Sequence, residues 1–308
     1  MNGNTSPKIE IFAPFGAAYE LTKRILFQPF DLTKWLTIGF AAFLAGLADG
    51  THFSGGRVPS GNWDVRSRSY SQDISAAHDQ LLQWVTTGVI AFLALFILVL
   101  VVLCAWLGSR GRFMFVDCVV RNRAGIAQPW QEYRREGNSL FLFKLAALAA
   151  WLCLWLLLAL PWLLPYLTSG DFPEFGAGHI AYLIVVALVV VPLALGWLLI
   201  VWFMVPVMYR QRCGATAAFA RVLGLIADHP ISFILYALFF LVLMVAGAIG
   251  SCVITCVTCC LAALPYIGTV ILLPLYTFCY AYTLYFLRQF GSEYDVWAAP
   301  PPLPSAAS

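Results

Sequence analysis

Residues 108–138 read GSRGRFMFVDCVVRNRAGIAQPWQEYRREGN and hold six of the eighteen Lys and Arg residues of the chain. On a helix, the first half of this stretch puts Phe113, Val116 and Val120 on one face. Arg110, Asp117 and Arg121 fall on another, with Asp117 and Arg121 paired at i,i+4. Long apolar runs flank the stretch on both sides. A helix of this composition between two membrane spans is expected to lie flat at the lipid interface. Its arginines then fix the side of the bilayer on which it lies.

Composition extends that reading to the whole chain. Apolar residues make up 61% of 308 and charged residues 11%, against about 25% charged in soluble domains. So little charge cannot cover a water-facing surface, and a soluble reading is excluded. A net charge of +3 also excludes a nucleic-acid binder. The first sixteen residues, MNGNTSPKIEIFAPFG, lack the apolar core and cleavage site of a signal peptide, so the first span is expected to serve as its own insertion signal. Nine cysteines, an odd number lying mostly in apolar runs, do not form the pattern of a secreted disulfide framework.

The pattern predicts an all-α, polytopic membrane protein with about six spans in three hairpins, with cytoplasmic interfacial amphipathic helices. The spans fall at about 31–49, 84–107, 139–160, 179–209, 231–251 and 268–290. An amphipathic helix over 14–28 precedes the first span and is broken at Pro29, and Asp31 caps that span. Trp84 and Trp106 are 22 residues apart, ~33 Å along a helix, and mark the two ends of the second span. Pro161 and Pro165 close the third. The fourth, with Pro192 and Pro206 inside it, is expected to be tilted or kinked. A second amphipathic helix carries Phe219, Val222, Leu223 and Ile226 on one face, with Arg221 and Asp228 on the other. The 61 residues from Pro230 to Phe290 exceed two simple spans. Either the fifth helix overruns the bilayer or residues 252–267 form an apolar lid or re-entrant piece, and the lid is the expectation here. The residues from 291 to 308 end in a Pro-rich run and are expected to be a disordered cytoplasmic tail.

Charge sets the orientation. With the N-terminus inside, fifteen of the eighteen Lys and Arg fall in inside segments, and only Arg57, Arg66 and Arg68 lie outside. That bias requires an even number of spans with both ends in the cytoplasm. A repeat is also visible. Ala17-Ala18-Tyr19 precedes Pro29 much as Ala217-Ala218-Phe219 precedes Pro230, and Arg210-Gln211 recurs as Arg288-Gln289. The unit is an interfacial helix followed by a transmembrane hairpin, used three times. The middle copy departs from it, with Gly137-Asn138-Ser139 where the others have proline.

The entry AAYELTKRILFQPFDLTKWLTIGF, the loop SRGRFMFVDCVVRNRAGIAQPWQEYRREGNSLF and the exit YFLRQFGSEYDVW resemble a group of uncharacterised bacterial multi-pass membrane proteins. More loosely, the organisation is similar to the membrane domain that precedes the catalytic domain in some glycerophosphodiester phosphodiesterases. The likeness covers most of residues 14 to 297, and its motifs are topological rather than chemical. This sequence holds no phosphodiesterase catalytic domain, so the resemblance implies location in a bacterial inner membrane and a fold, not that activity.

Candidate chemistry is sparse. Cys252, Cys256, Cys259 and Cys260 are the one set suggesting a metal, since thiolates bind zinc, Cu(I) or iron–sulfur clusters. One continuous helix cannot wrap four ligands around a tetrahedral ion, and no His lies nearby, so small apolar packing groups are the preferred reading. Tyr276, Tyr280 and Thr283 form a polar stripe that would line a passage or bond between helices. His52, Asp64, His78 and Asp79 match no recognisable cation site. Between the interfaces no predicted span holds an Asp, Glu or His, which argues against ion-coupled transport and intramembrane hydrolysis. Small pairs at i,i+4, namely Ala41 with Ala45, Ala42 with Gly46, Ala146 with Ala150, and Ala246 with Gly250, point to close helix packing.

The expectation is therefore a non-enzymatic membrane scaffold or accessory protein without cofactors. Its basic face, Arg110, Arg112, Arg121, Arg123, Arg134 and Arg135, meets anionic lipid head groups or partner proteins. The alternative is a facilitator that handles a small apolar or lipid-like molecule.

Overall fold

The computed structural model describes residues 9–47, 75–169, 176–258 and 264–298. These residues form ten helices and no strand. In order they are α1 (Ala13–Leu26), α2 (Leu32–Leu47), α3 (Ser75–Arg121), α4 (Ala127–Glu132) and α5 (Arg134–Ser169). The rest are α6 (Ala177–Gln211), α7 (Ala215–Asp228), α8 (Pro230–Val257), α9 (Pro265–Ile271) and α10 (Leu273–Arg288). The short helices α1, α4 and α7, of 14, 6 and 14 residues, precede α2, α5 and α8, of 16, 36 and 28 residues. Four helices are long and apolar enough to cross a membrane, namely Trp84–Arg121 of α3, Arg134–Leu164 of α5, all of α6 and all of α8.

Burial divides the molecule into two ends. From Gly108 to Val119 every residue of α3 is buried, and from Trp84 to Leu103 every residue is exposed. The α6 segment Val201–Tyr209 likewise lies in the core, together with Phe233 and Tyr236 of α8 and Tyr280–Leu284 of α10. The opposite halves of α5, α6 and α8 run out as apolar arms with few buried residues. At 1.5 Å per residue α3 is ~70 Å long, more than twice the hydrocarbon thickness of about 30 Å.

Close helix contact builds the packed end. α2 runs antiparallel to the end of α3: Lys34 Nζ donates to Asn122 Oδ1 at 2.8 Å, while Leu44 and Ala45 lie against Gly111. A Cβ at Gly111 would sit 2.6 Å from Leu44 Cβ and 2.7 Å from the Ala45 nitrogen, so only glycine fits. Asp31 Oδ1 accepts from the Thr33 amide at 2.8 Å, the expected cap on α2. Trp35 settles the junction of α9 and α10. Pro274 has no N–H to offer the Val270 carbonyl one turn back, and Trp35 Nε1 donates to that oxygen at 2.9 Å.

Several sequence expectations are corrected. Residues 108–121 are not a separate helix, because α3 continues through them, and those from 108 to 119 are buried. Pro161 and Pro165 do not end the third apolar helix, which runs on to Ser169. Residues 252–257 finish α8, so the expected lid does not begin at 252; residues 259–263 of that segment lie outside the described residues, and a further break falls between α9 and α10. Nor is the C-terminal segment free from residue 291. Trp297 stacks on Tyr285 at 4.7 Å between centroids, Arg288 pairs with Asp295 at 3.0 Å, and Arg210 donates to the Ala298 carbonyl at 2.9 Å. Asp49, the polar loop over 50–74, the turn at 170–175, Cys259, Cys260 and residues 299–308 lie outside the described residues.

Candidate functional site

The polar groups of the packed end converge on Asp117. Its side chain is fully buried, as placement on the core face of α3 requires. Arg121, one turn on, meets Oδ1 at 3.1 Å, as the i,i+4 spacing anticipates. Arg123 reaches Oδ2 at 2.8 Å, and Tyr209 of α6 donates its hydroxyl to Oδ1 at 3.1 Å. A buried carboxylate is tolerated only when it is paired and hydrogen-bonded. Here two guanidinium groups and a phenol meet that need. Arg123 can turn back because Asn122, at φ +50°, ends α3 in the left-handed conformation that asparagine tolerates.

A second carboxylate, Glu132, ties this knot to α6. Arg121 donates to Glu132 Oε1 at 3.0 Å, and Arg212 binds the same oxygen. Burial pushes the Glu132 carboxyl up, but the hydrogen bonds from Arg121 and Arg212 outweigh it and hold it below the usual carboxylate range. Arg212 also covers the Tyr133 ring at 3.9 Å and lies 3.7 Å from Glu136. Tyr133 stacks on Tyr209 at 4.9 Å and on Phe113 at 5.9 Å, and burial raises its hydroxyl above the usual tyrosine range. Arg212 makes these contacts from φ +49°, beyond the end of α6.

Arg110 occupies a different niche. Its guanidinium sits 4.4 Å from the Trp106 ring and 4.9 Å from the Trp130 ring, and it donates to Asn138 Oδ1 at 3.0 Å. Gly137 leaves room for its stem, since a Cβ there would lie 2.8 Å from Arg110 Cγ. Ser139 Oγ accepts the Ala215 amide of α7 at 2.9 Å, supplying the cap that Gly214 lacks. The Gly-Asn-Ser run that breaks the proline pattern thus has three tasks, one per residue.

Of the six arginines read as one basic face, Arg110 and Arg112 are buried, and Arg121 and Arg123 are spent on Asp117, Glu132 and Gln128. Arg134 and Arg135 are exposed. Thr283 is fully buried and its hydroxyl joins Tyr236 and Trp202, each at 2.8 Å. Tyr280 packs against Phe115 and Trp202, and Tyr276 is half-buried beside it. Through Thr283 the stripe ties α10 to α6 and α8. Cys252 and Cys256 are exposed along α8. Among the described residues no group of three or more His, Cys, Asp or Glu side chains stands where it could hold a metal ion.

Sequence reading missed Glu132, Tyr209, Arg212 and Glu136 as members of this site. Their signal was faint: single polar residues at helix ends, with Arg212 lying 80 residues from Glu132 and Tyr209 lying 92 from Asp117. A comparison with family models matches residues 10–276 to DUF7544, a family of unknown function. The chain belongs to that family. The match takes in α1–α9 and every residue of the Asp117–Glu132–Arg212 knot. Neither a curated protein nor a solved structure matches the chain.

Proposed function

We propose that this DUF7544 chain is a non-catalytic scaffold or accessory protein of the bacterial cytoplasmic membrane. In this reading it crosses the bilayer six times as three hairpins: α2 with α3, α5 with α6, and α8 with the broken α9–α10. Its packed end and both termini face the cytoplasm, and its basic face meets anionic lipid head groups. One observation carries the reading. Every described Lys and Arg lies at the packed end, whereas the arms over 84–103, 145–169, 180–200 and 238–257 hold no Asp, Glu, Lys or Arg. Such asymmetry is what the positive-inside rule selects. The contacts with lipid fall to Arg134 and Arg135, with Lys23, Arg24, Arg221 and Arg288, all exposed around the same end. A basic residue near an anionic surface contributes about 1 kcal/mol, so the set together is strong enough to orient the packed end. Exposed Phe12, Tyr19, Phe27 and Phe30 add aromatic groups suited to the head-group level.

Reporter fusions after Gly137, Gly214 and Gly291 test the orientation. All three should report cytoplasm, and fusions after Gly61 and Gly176 the opposite side. A cytoplasmic signal at Gly61 or Gly176 would undo the six-span reading. For the lipid contact, amide exchange of residues 122–135 is measured in nanodiscs with and without phosphatidylglycerol. Exchange should slow severalfold with the anionic lipid, and Arg134→Gln with Arg135→Gln should erase the difference. Equal exchange in both lipids in the parent protein would sink the head-group role.

A further inference from the structure

α8 and the α9–α10 break line an open groove of about 380 Å³. Leu243, Gly250 and Ile254 form one wall; Leu272, Leu275 and Phe278 form the other. We propose that this groove is a binding site for one acyl chain of a membrane lipid.

Chemistry favours hydrocarbon. The one hydroxyl on the walls, that of Ser251, already donates to the Ala248 carbonyl at 2.9 Å, so nothing in the groove asks for water or a polar head. α8 also carries exposed apolar residues away from the groove, with Val245, Ile249 and Val253 more than half exposed. It is long enough to cross the bilayer, and in that placement acyl chain surrounds it. An empty groove of this kind would forfeit dispersion contacts along both walls.

A methylene needs about as much room as a water molecule, ~30 Å³, which gives space for on the order of a dozen. The walls meet at Gly247, where a Cβ would lie 2.9 Å from Leu275 Cδ2. At Gly250 a Cβ would meet nothing within 4 Å. The groove is therefore closed on one side and has a glycine floor beside open space, a shape that admits a chain.

That glycine supplies the test. The full-length protein is placed in vesicles of phosphatidylcholine alone, and separately with phosphatidylglycerol, each containing a phospholipid with a diazirine midway along one acyl chain. After irradiation, adducts are mapped by mass spectrometry. In the parent protein, labelling per exposed residue should be at least threefold higher over 243–254 and 272–278 than over 85–102 of α3. Gly250→Leu should remove that excess, while Gly88→Leu, which adds the same side chain on the bare α3 arm, should leave it unchanged. Even labelling of groove and arm, or an excess indifferent to Gly250→Leu, would overturn the proposal. The parent ratio stands as a readout even if the Gly250 variant fails to fold. The inference rests on α8 lying in the bilayer and not on the basic face, so the labelling excess should be the same with and without phosphatidylglycerol.

Discussion

The two halves of α3 invert the rule for soluble proteins. Residues 84–103, without a charge, are exposed on every side; residues 108–119, with Arg110, Arg112 and Asp117, are buried throughout. In water the free-energy gain from burying apolar surface would reverse that assignment. In lipid an apolar side chain gains little by leaving hydrocarbon for a protein interior, so nothing pulls the arm inward. Polar groups instead have every reason to find one another. What concentrates the packing at one end is the need of Asp117, Glu132 and the arginines for partners, together with the glycines that let α2, α3 and α5 approach.

Removing the central charge should break this contrast most severely. Asp117→Asn keeps the shape but leaves Arg121, Arg123 and Tyr209 without their anion. Breaking a buried pair costs about 3–5 kcal/mol, and because both arginines are partly exposed we expect the lower end, about 3 kcal/mol. Thermal unfolding in nanodiscs would show it, and a change below about 1 kcal/mol would mean that Asp117 does not organise the packed end.

Next comes a matched pair of glycines on one helix. Gly111→Val drives side-chain atoms into the α2 backbone, a cost of at least about 2 kcal/mol by the usual scale of overpacking. Gly88→Val adds the same atoms in open space and should stay within about 0.5 kcal/mol. Equal losses would show that the arm packs against something in solution.

Trp35→Phe is milder. It removes the donor that serves the Val270 carbonyl left by Pro274, and because that acceptor is only part-buried the cost falls at the low end of the usual scale, about 1 kcal/mol. The effect should localise, with faster amide exchange in α9 and the first turn of α10 than in α5. Uniform change across the chain would refute the local role.

The smallest effect is a pH dependence. Arg121 and Arg212 hold the Glu132 carboxyl low in the folded protein, so this group contributes stability above its unfolded pKa of about 4.3. That contribution is lost as pH falls through the lower folded value. Parent and Glu132→Gln unfolding midpoints should therefore differ at pH 7 and converge in acid below about pH 4. A gap that stays constant down to pH 3 would remove Glu132 from the network.

Much of this was legible beforehand, for a physical reason in each case. The long helices follow from runs too apolar for any other element, and the ends of α1 and α2 from Pro29 and Asp31. The Asp117–Arg121 pair follows from helical spacing, and the sidedness of charge from counting. The destination of Arg110 was not legible, because a guanidinium near a membrane suits a head group as well as two tryptophans and an asparagine. The order of residues 291–298 was hidden as well, since it depends on Tyr285, Arg210 and Arg288 standing where Trp297, Ala298 and Asp295 can reach them.

Sequence by itself determined that the chain is helical, that it prefers hydrocarbon, and at which end its cations gather. Those are sums over many residues and do not depend on which helix meets which. Only the tertiary structure decided that the cationic stretch turns inward, that Tyr209 closes on Asp117 and Arg212 on Glu132, and that Trp35 completes a backbone interrupted by Pro274. Each of these depends on one atom lying within about 3 Å of another that is scores of residues away, or on a helix continuing where its composition suggested a stop. Local composition cannot encode such a meeting; the packing of the helices creates it, with α2 against α3 at Gly111 and α3 against α5 at Gly137.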